Sequence, residues 1–281
     1  MGRRPDGYHE LESLFLPLDL ADELELSLAL RSGTQVELSL EGEAGVPAGD
    51  ENLAARAARR FLEVAGLEGS ASIRLRKHIP AAGGMGGGSS DAAAVLLGLA
   101  RLAPGTLGQA RLRELALELG ADVPFFLDPR PSLVTGVGEH CEPLPPPWPG
   151  RVLLLANPGQ PLATAAVFRA YDEAAAECTE ASHAPARGDR AFPDLVRRAA
   201  RDPEALASLL SNDLEQAARA LCPAIAPLRE RLLDAGARAV GLSGSGATLF
   251  GVFDAEDRAR AALRAFTPPA WARVARTAEA R

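Results

Sequence analysis

Apolar and polar positions alternate along this chain with two different periods. Leu24, Leu26, Leu28 and Leu30 alternate with polar or small residues, and after Arg31-Ser32-Gly33-Thr34 the alternation resumes at Val36, Leu38 and Leu40. A period of two turns one strand face toward the core, so this stretch predicts a β-hairpin. Residues 52–64 are spaced as a helix, with Gly66 placed as its C-terminal cap, and residues 72–79 return to strand alternation through Ile73, Leu75, Lys77 and Ile79. Residues 91–102 predict a helix stopped by Pro104-Gly105. Thr106 followed by Gln109 has the form of a capping box, predicting a further helix to Leu119 that ends at Gly120.

The run Pro143-Leu144-Pro145-Pro146-Pro147-Trp148-Pro149 can neither fill a sheet ladder nor continue a helix, and reads as an extended connector. It divides the chain into an N-terminal domain, 1–143, and a C-terminal domain, 151–281. In the second, residues 152–156 predict a short buried strand, and helical spacing then dominates. A polar, proline-bearing stretch from His183 to Pro193 predicts a surface loop, and residues 224–235 predict a helix. Gly241-Leu242-Ser243-Gly244-Ser245-Gly246-Ala247 lies between two strand-like runs. Taken alone it fits an ordinary hairpin turn as well as a site loop. Strands and helices in this mixture predict an α+β protein.

Composition narrows the classes of function. Of 281 residues, 47% are hydrophobic and 24% charged, as in a soluble globular protein, and no apolar run is long enough to span a bilayer. The polar start Gly2-Arg3-Arg4-Pro5-Asp6 leads into no apolar segment, so the expected location is the cytoplasm, with no membrane partner. A net charge of −7 argues against a nucleic-acid partner. Cys141, Cys178 and Cys222 are too far apart for a metal or redox motif and read as small buried hydrophobes. Arg187-Gly188-Asp189 has the form of an adhesion motif, which a chain without an export signal acquires by chance.

The most informative chemistry lies in Pro80-Ala81-Ala82-Gly83-Gly84-Met85-Gly86-Gly87-Gly88-Ser89-Ser90, between the predicted strand and the helix at 91–102. Glycines let a backbone approach a bulky anion, and a helix start supplies free N–H groups and the positive end of its macrodipole. The loop therefore predicts a phosphate cradle. It is not a Walker loop, because Ser89 rather than lysine follows the last glycine, and it lacks the glycine spacing of a dinucleotide fold. Ser89 and Ser90 fit helix capping as well as hydroxyl contacts to phosphate or a metal.

With this loop, the segments Gly2-Arg3-Arg4-Pro5-Asp6-Gly7-Tyr8-His9-Glu10-Leu11, Gly120-Ala121-Asp122-Val123-Pro124-Phe125-Phe126, Asn157-Pro158-Gly159, Ser211-Asn212-Asp213-Leu214-Glu215 and Gly241 to Ala247 occur in an order that resembles the GHMP kinase superfamily. Within it, they resemble the family acting on 4-diphosphocytidyl-2-C-methyl-D-erythritol in non-mevalonate isoprenoid biosynthesis. The resemblance runs from residue 2 to about residue 253. It implies a two-domain fold, an N-terminal nucleotide-binding α/β domain and a C-terminal ferredoxin-like domain. It also implies transfer of the γ-phosphoryl group of ATP to the substrate's 2-hydroxyl, with Mg2+ as cofactor and no metal ligands assigned among the residues. Asp122 matches the proton acceptor, although its neighbours Gly120 and Pro124 also suit a plain turn. Lys77 and Pro80 to Ser90 match the nucleotide site, where a lone strand lysine also suits a solvated position. Tyr8, His9, Asn157, Thr164, Phe168, Gly244 and Ser245 match the substrate site; on spacing alone Phe168 also suits a helix core with Val167 and Tyr171.

One departure bears on activity. The family pattern opens with a strand like Pro-Ala-Lys-Ile-Asn-Leu, whose lysine serves the reaction, and this chain begins after it; Lys77 is the only lysine present. Either the true start lies upstream of Met1, or the protein lacks a catalytic cation and the first strand of its sheet; the chain as written is expected to show reduced kinase activity and an exposed sheet edge. The alternative function is a catalytically impaired GHMP-fold protein that binds a nucleotide or metabolite.

Overall fold

The computed structural model describes residues 9–42, 45–144, 151–177, 192–201, 209–266 and 271–278. Its N-terminal half holds β1 (Leu11–Phe15), β2 (Glu23–Leu30), β3 (Gln35–Gly42), α1 (Leu53–Ala65), β4 (Gly69–Lys77), α2 (Gly87–Leu102), α3 (Gln109–Leu119), β5 (Ser132–Gly136) and β6 (His140–Pro143). The alternation in β2 and β3 produces strands, but they do not pair with each other. β4 lies between them, antiparallel to β2 and parallel to β3, so the expected hairpin is replaced by a sheet of order β2-β4-β3. Alternation states which face of a strand is buried, not which strand adjoins it; the crossover through α1 returns β4 into the slot where it satisfies both inner edges.

One face of this sheet is apolar. Leu26, Leu38, Ile73 and Leu75 pack with Phe61 and Leu62 of α1 and Leu96 and Leu99 of α2. Ala54, Ala57 and Ala58 belong to the same core as Ala92 and Ala93, small side chains that let the two helices approach closely. The other face carries exposed ion pairs of Arg74 with Glu25 and of Arg76 with Glu23 and Glu41. Such pairs stabilise by about 0–1 kcal/mol, so the apolar face holds the sheet. A second sheet, β1-β5-β6, is antiparallel throughout.

Gly66 closes α1 as expected, with φ 63°, while Asn52 stands outside the helix as its N-cap, Oδ1 accepting from Ala54 N–H at 2.9 Å. Two other boundaries differ. α2 starts at Gly87 rather than 91, because Gly86 takes the N-cap with φ 68° and the last glycines and both serines coil into the first turn. The capping box does not form: Gly108 is the N-cap of α3, and the Thr106 hydroxyl donates to Ala103 O instead.

The C-terminal half holds β7 (Val152–Asn157), α4 (Thr164–Glu177), helices Phe192–Arg201, Glu215–Leu221 and Ile225–Asp234, β8 (Ala239–Leu242), β9 (Leu249–Phe253), a helix Glu256–Leu263 and β10 (Trp271–Arg276). The strands form one antiparallel sheet of order β10-β7-β9-β8, the ferredoxin-like arrangement that the resemblance implied. Helices bury one face of it; Leu153, Leu155 and Ala275 on the other receive Met85 from the glycine loop. Phe192 is buried and opens a helix, so the predicted loop at 183–193 ends before Pro193. Residues 145–150 of the proline run, residues 178–191 with the Arg187-Gly188-Asp189 triplet, and Tyr8 lie outside the described residues. Cys222 is buried, whereas Cys141 is half-buried in β6, and neither forms a disulfide. Among the described residues no helix is long and apolar enough to cross a membrane.

Asn52 is buried, and besides capping α1 its Nδ2 donates to Pro47 O at 2.9 Å. Asn52→Ala is expected to lower stability by about 1–2 kcal/mol in urea denaturation, with an unchanged slope.

Candidate active site

The segment from Pro80 to Ser90 connects β4 to α2 and lies on a cleft of about 2040 Å3 lined by both halves. With Gly86 as N-cap, no side chain caps α2, and its first N–H groups have no partner within the helix. Gly86, Gly87, Gly88 and Ser89 all line the cleft. The serines are not caps. Ser89 stands at the third helical position, and the Ser90 hydroxyl donates to Gly87 O at 2.9 Å. An anion in this cleft meets bare amides and the positive end of the helix.

Three successive carbonyls on the other side of the loop face the C-terminal half. Ala82 O accepts from Leu162 N at 3.4 Å, Gly83 O from Thr248 N at 3.2 Å, and Gly84 O from the Ser243 hydroxyl at 2.9 Å. The Gly241 to Ala247 cluster is thus both the turn between β8 and β9 and the dock for the first glycine loop. Its shape is held by Asn212, whose Nδ2 donates to Leu242 O and Gly244 O at 3.0 and 2.7 Å. Ser245 is buried and shares a 2.9 Å hydrogen bond with the Thr164 hydroxyl at the start of α4. Asn157 stands behind the cleft: its amide donates to Thr248 Oγ1 and accepts from Gly159 N–H.

Asp122 occupies a turn closed by Val123 N–H donating to Gly120 O, so the turn reading of this segment and its place in the cleft are compatible. The next turn, a 3-10 helix at Pro124–Leu127, is anchored on both sides. Phe125 packs edge-on against Phe15 of β1, and Phe126 lies against Gly86, where a Cβ would come within 2.8 Å of the ring. These contacts hold Asp122 beside the loop that leads into α2. Burial pushes its carboxyl above the ordinary value, and among the described residues no cation offsets the lost hydration.

Lys77 is buried rather than solvated. Its Nζ donates to Asp91 Oδ2 at 2.6 Å and to Asp22. Asp91 is raised to about 6, mainly by burial, with Lys77 opposing that shift. At the other end of the cleft, His9 stacks on Phe168 with ring centroids 4.8 Å apart and donates from Nε2 to Asp172 Oδ1 at 2.7 Å. Thr164, Phe168 and Asp172 recur every four residues of α4, and all three line the cleft.

The family description "GHMP kinases N terminal domain" matches residues 52–128, and "GHMP kinases C terminal" matches residues 191–268. The chain belongs to the GHMP kinases. It is 40% identical to 4-diphosphocytidyl-2-C-methyl-D-erythritol kinase of Geobacter metallireducens, over 94% of this chain and 88% of the relative. With the enzyme of that name from Symbiobacterium thermophilum it shares 41%, over 96% and 93%. A crystal structure of 4-(cytidine 5'-diphospho)-2C-methyl-D-erythritol kinase superposes with a TM-score of 0.77 at 38% identity, covering 98% of this chain and 93% of that one.

In this GHMP kinase the cleft brings together, among the described residues, most positions expected from sequence: Asp122, the glycine loop, Lys77, His9, Thr164, Phe168, Gly244 and Ser245. Sequence reasoning missed Asp22, Asp172, Asn212 and Thr248. Asn212 stood in a quoted motif without a role; the others are ordinary polar residues whose partners lie 55 to 163 positions away or across a domain.

Gly84 has φ 75°, and a Cβ there would collide with Ser243 O and come within 2.8 Å of Gly246 N. Gly84→Ala is therefore expected to lower the melting temperature and to abolish thermal stabilisation by an unhydrolysable ATP analogue. The left-handed conformation alone costs a non-glycine residue about 1–3 kcal/mol.

Proposed function

We propose that this GHMP kinase transfers the γ-phosphoryl group of ATP to the 2-hydroxyl of 4-diphosphocytidyl-2-C-methyl-D-erythritol, giving the 2-phosphate and ADP. The observation that carries the reading is one cleft containing both the uncapped start of α2 and the half-buried carboxylate of Asp122. Relatives at 40% and 41% identity bear that enzyme's name.

Phosphoryl transfer asks the protein mainly for positioning and for stabilisation of negative charge. Backbone amides of residues 86–89 receive the triphosphate, with Pro80 to Met85 forming the loop around it. Asp122 accepts the proton of the substrate hydroxyl as the oxygen bonds to the γ-phosphorus. The bond from that phosphorus to the bridging oxygen breaks, and ADP leaves with the electron pair. A raised carboxyl pKa suits this task, because a base works best near the operating pH. His9 and Phe168 form the cytosine end, a role that the sequence resemblance extends to Tyr8; Thr164, Gly244 and Ser245 line the path between base and reacting hydroxyl. We assign Asn157 to the support of that path, since both ends of its amide are engaged within the protein.

Mg2+ fits this site as a companion of the nucleotide. No group of three or more His, Cys, Asp or Glu among the described residues makes a protein metal cage. Mg2+ keeps several waters and relies on substrate phosphates plus few protein oxygens. The Ser89 hydroxyl is a hard oxygen donor of that kind, and the ion would neutralise charge on the triphosphate.

The decisive experiment measures ADP release with the cytidine diphosphate alcohol, mevalonate and homoserine as alternative acceptors. Turnover is expected with the first; turnover with either of the others and none with it would refute the assignment. Asp122→Asn should lower kcat by roughly 100- to 10,000-fold with little change in the KM for ATP. In the parent enzyme, activity requires Asp122 to be ionised. Because burial raises its pKa in the free protein, the acidic limb of the kcat/KM profile should lie above 3.8, the ordinary aspartate value, and vanish in Asp122→Asn.

A further inference from the structure

The phosphate loop has two stems, the end of β4 and the first turns of α2, and a single ammonium braces them. Lys77 is the last residue of β4 and is only 4% exposed. One of its carboxylate partners, Asp91, projects from the second turn of α2. The other, Asp22, precedes β2, and its Oδ1 accepts from His78 N–H at 2.6 Å and Ile79 N–H at 3.0 Å, the first two residues after β4. Asp22, Lys77 and Asp91 thus tie the strand exit, the helix start and the entry to β2 at one point. The stems are in close contact there. A Cβ on Gly87 would lie 2.9 Å from Ile79 Cγ2 and 3.5 Å from Lys77 Nζ.

An ammonium held between two carboxylates has no net positive charge to offer a phosphate, and its burial keeps it from exchanging those partners for a ligand. We propose that Lys77 is a positioning residue for phosphoryl transfer: through Asp22 and Asp91 it sets the first turn of α2, and so aims the free amides at the nucleotide's phosphates. The proposal rests on the reading of α2 as the phosphate site. It replaces direct contact with the nucleotide as the role of this lysine.

Calorimetric titration of the full-length protein with an unhydrolysable ATP analogue and with adenosine tests it. In the parent, the analogue must bind more tightly than adenosine; equal binding would overturn the phosphate reading and the proposal with it. In Lys77→Met, affinity for the analogue should fall at least tenfold while that for adenosine is unchanged, and KM for ATP should rise with KM for the acceptor alcohol constant. Equal losses for both ligands would show direct contact with the base and overturn the proposal. Unchanged affinities with only a lower melting temperature would reduce Lys77 to a structural role and overturn it as well. Should Lys77→Met fail to fold, Lys77→Met with Asp91→Asn removes one charge of each sign and carries the same test by the same outcomes.

Discussion

The docking of one glycine loop on another is the interaction on which the rest of this structure depends. Three consecutive carbonyls, from Ala82 to Gly84, are taken up by Leu162, Thr248 and Ser243 of the C-terminal half. Gly83 is buried, Gly84 half-buried and Ala82 exposed, so separating the halves here would return these carbonyls and their donors to water and lose about 0.5–1.5 kcal/mol for each hydrogen bond. Gly84 has no side chain to hold the loops apart, and Met85 adds an apolar anchor on the ferredoxin-like sheet. One side of the loop is thus committed to the partner domain, while the helix start it leads into opens on the cleft.

Charge in the cleft is arranged by withholding partners as well as by supplying them. Among the described residues no side chain caps the start of α2, and burial raises the Asp122 carboxyl with no opposing charge. Both are unfavourable features in an empty fold. Their natural complements are an anion and a proton, which phosphoryl transfer to an alcohol brings together. The buried lysine is treated in the opposite way: two carboxylates meet its charge, and it joins segments rather than facing a ligand. The α4 face repeats the division, with Thr164 tied to Ser245, while His9 stacks on Phe168.

Much of this was legible before any coordinates. The helix closed by Gly66 and the strand feeding the glycine loop follow from local residue chemistry, and local chemistry acts over a few residues wherever the chain folds. The motifs carrying Asp122 and the glycines were likewise contiguous. Other features were not readable. Thr106 and Gln109 have the letters of a capping box, yet the Thr106 hydroxyl found a nearer carbonyl at Ala103. Strand β10 alternates weakly, and it declares itself only by pairing with β7.

By itself, the sequence determined the strands β2, β3, β4 and β7, the helices α1 to α3, which of their faces are apolar, and that a phosphate loop precedes an alanine-rich helix. Those properties depend on side chains close together in the chain. Tertiary structure decided that β4 separates β2 from β3, that Lys77 is clamped by Asp22 and Asp91, and that His9 meets Asp172. Each of these joins residues far apart in sequence. A pattern along a chain records the burial of each position but not the identity of what buries it, and that identity emerges only when the crossovers and the two domains are packed together.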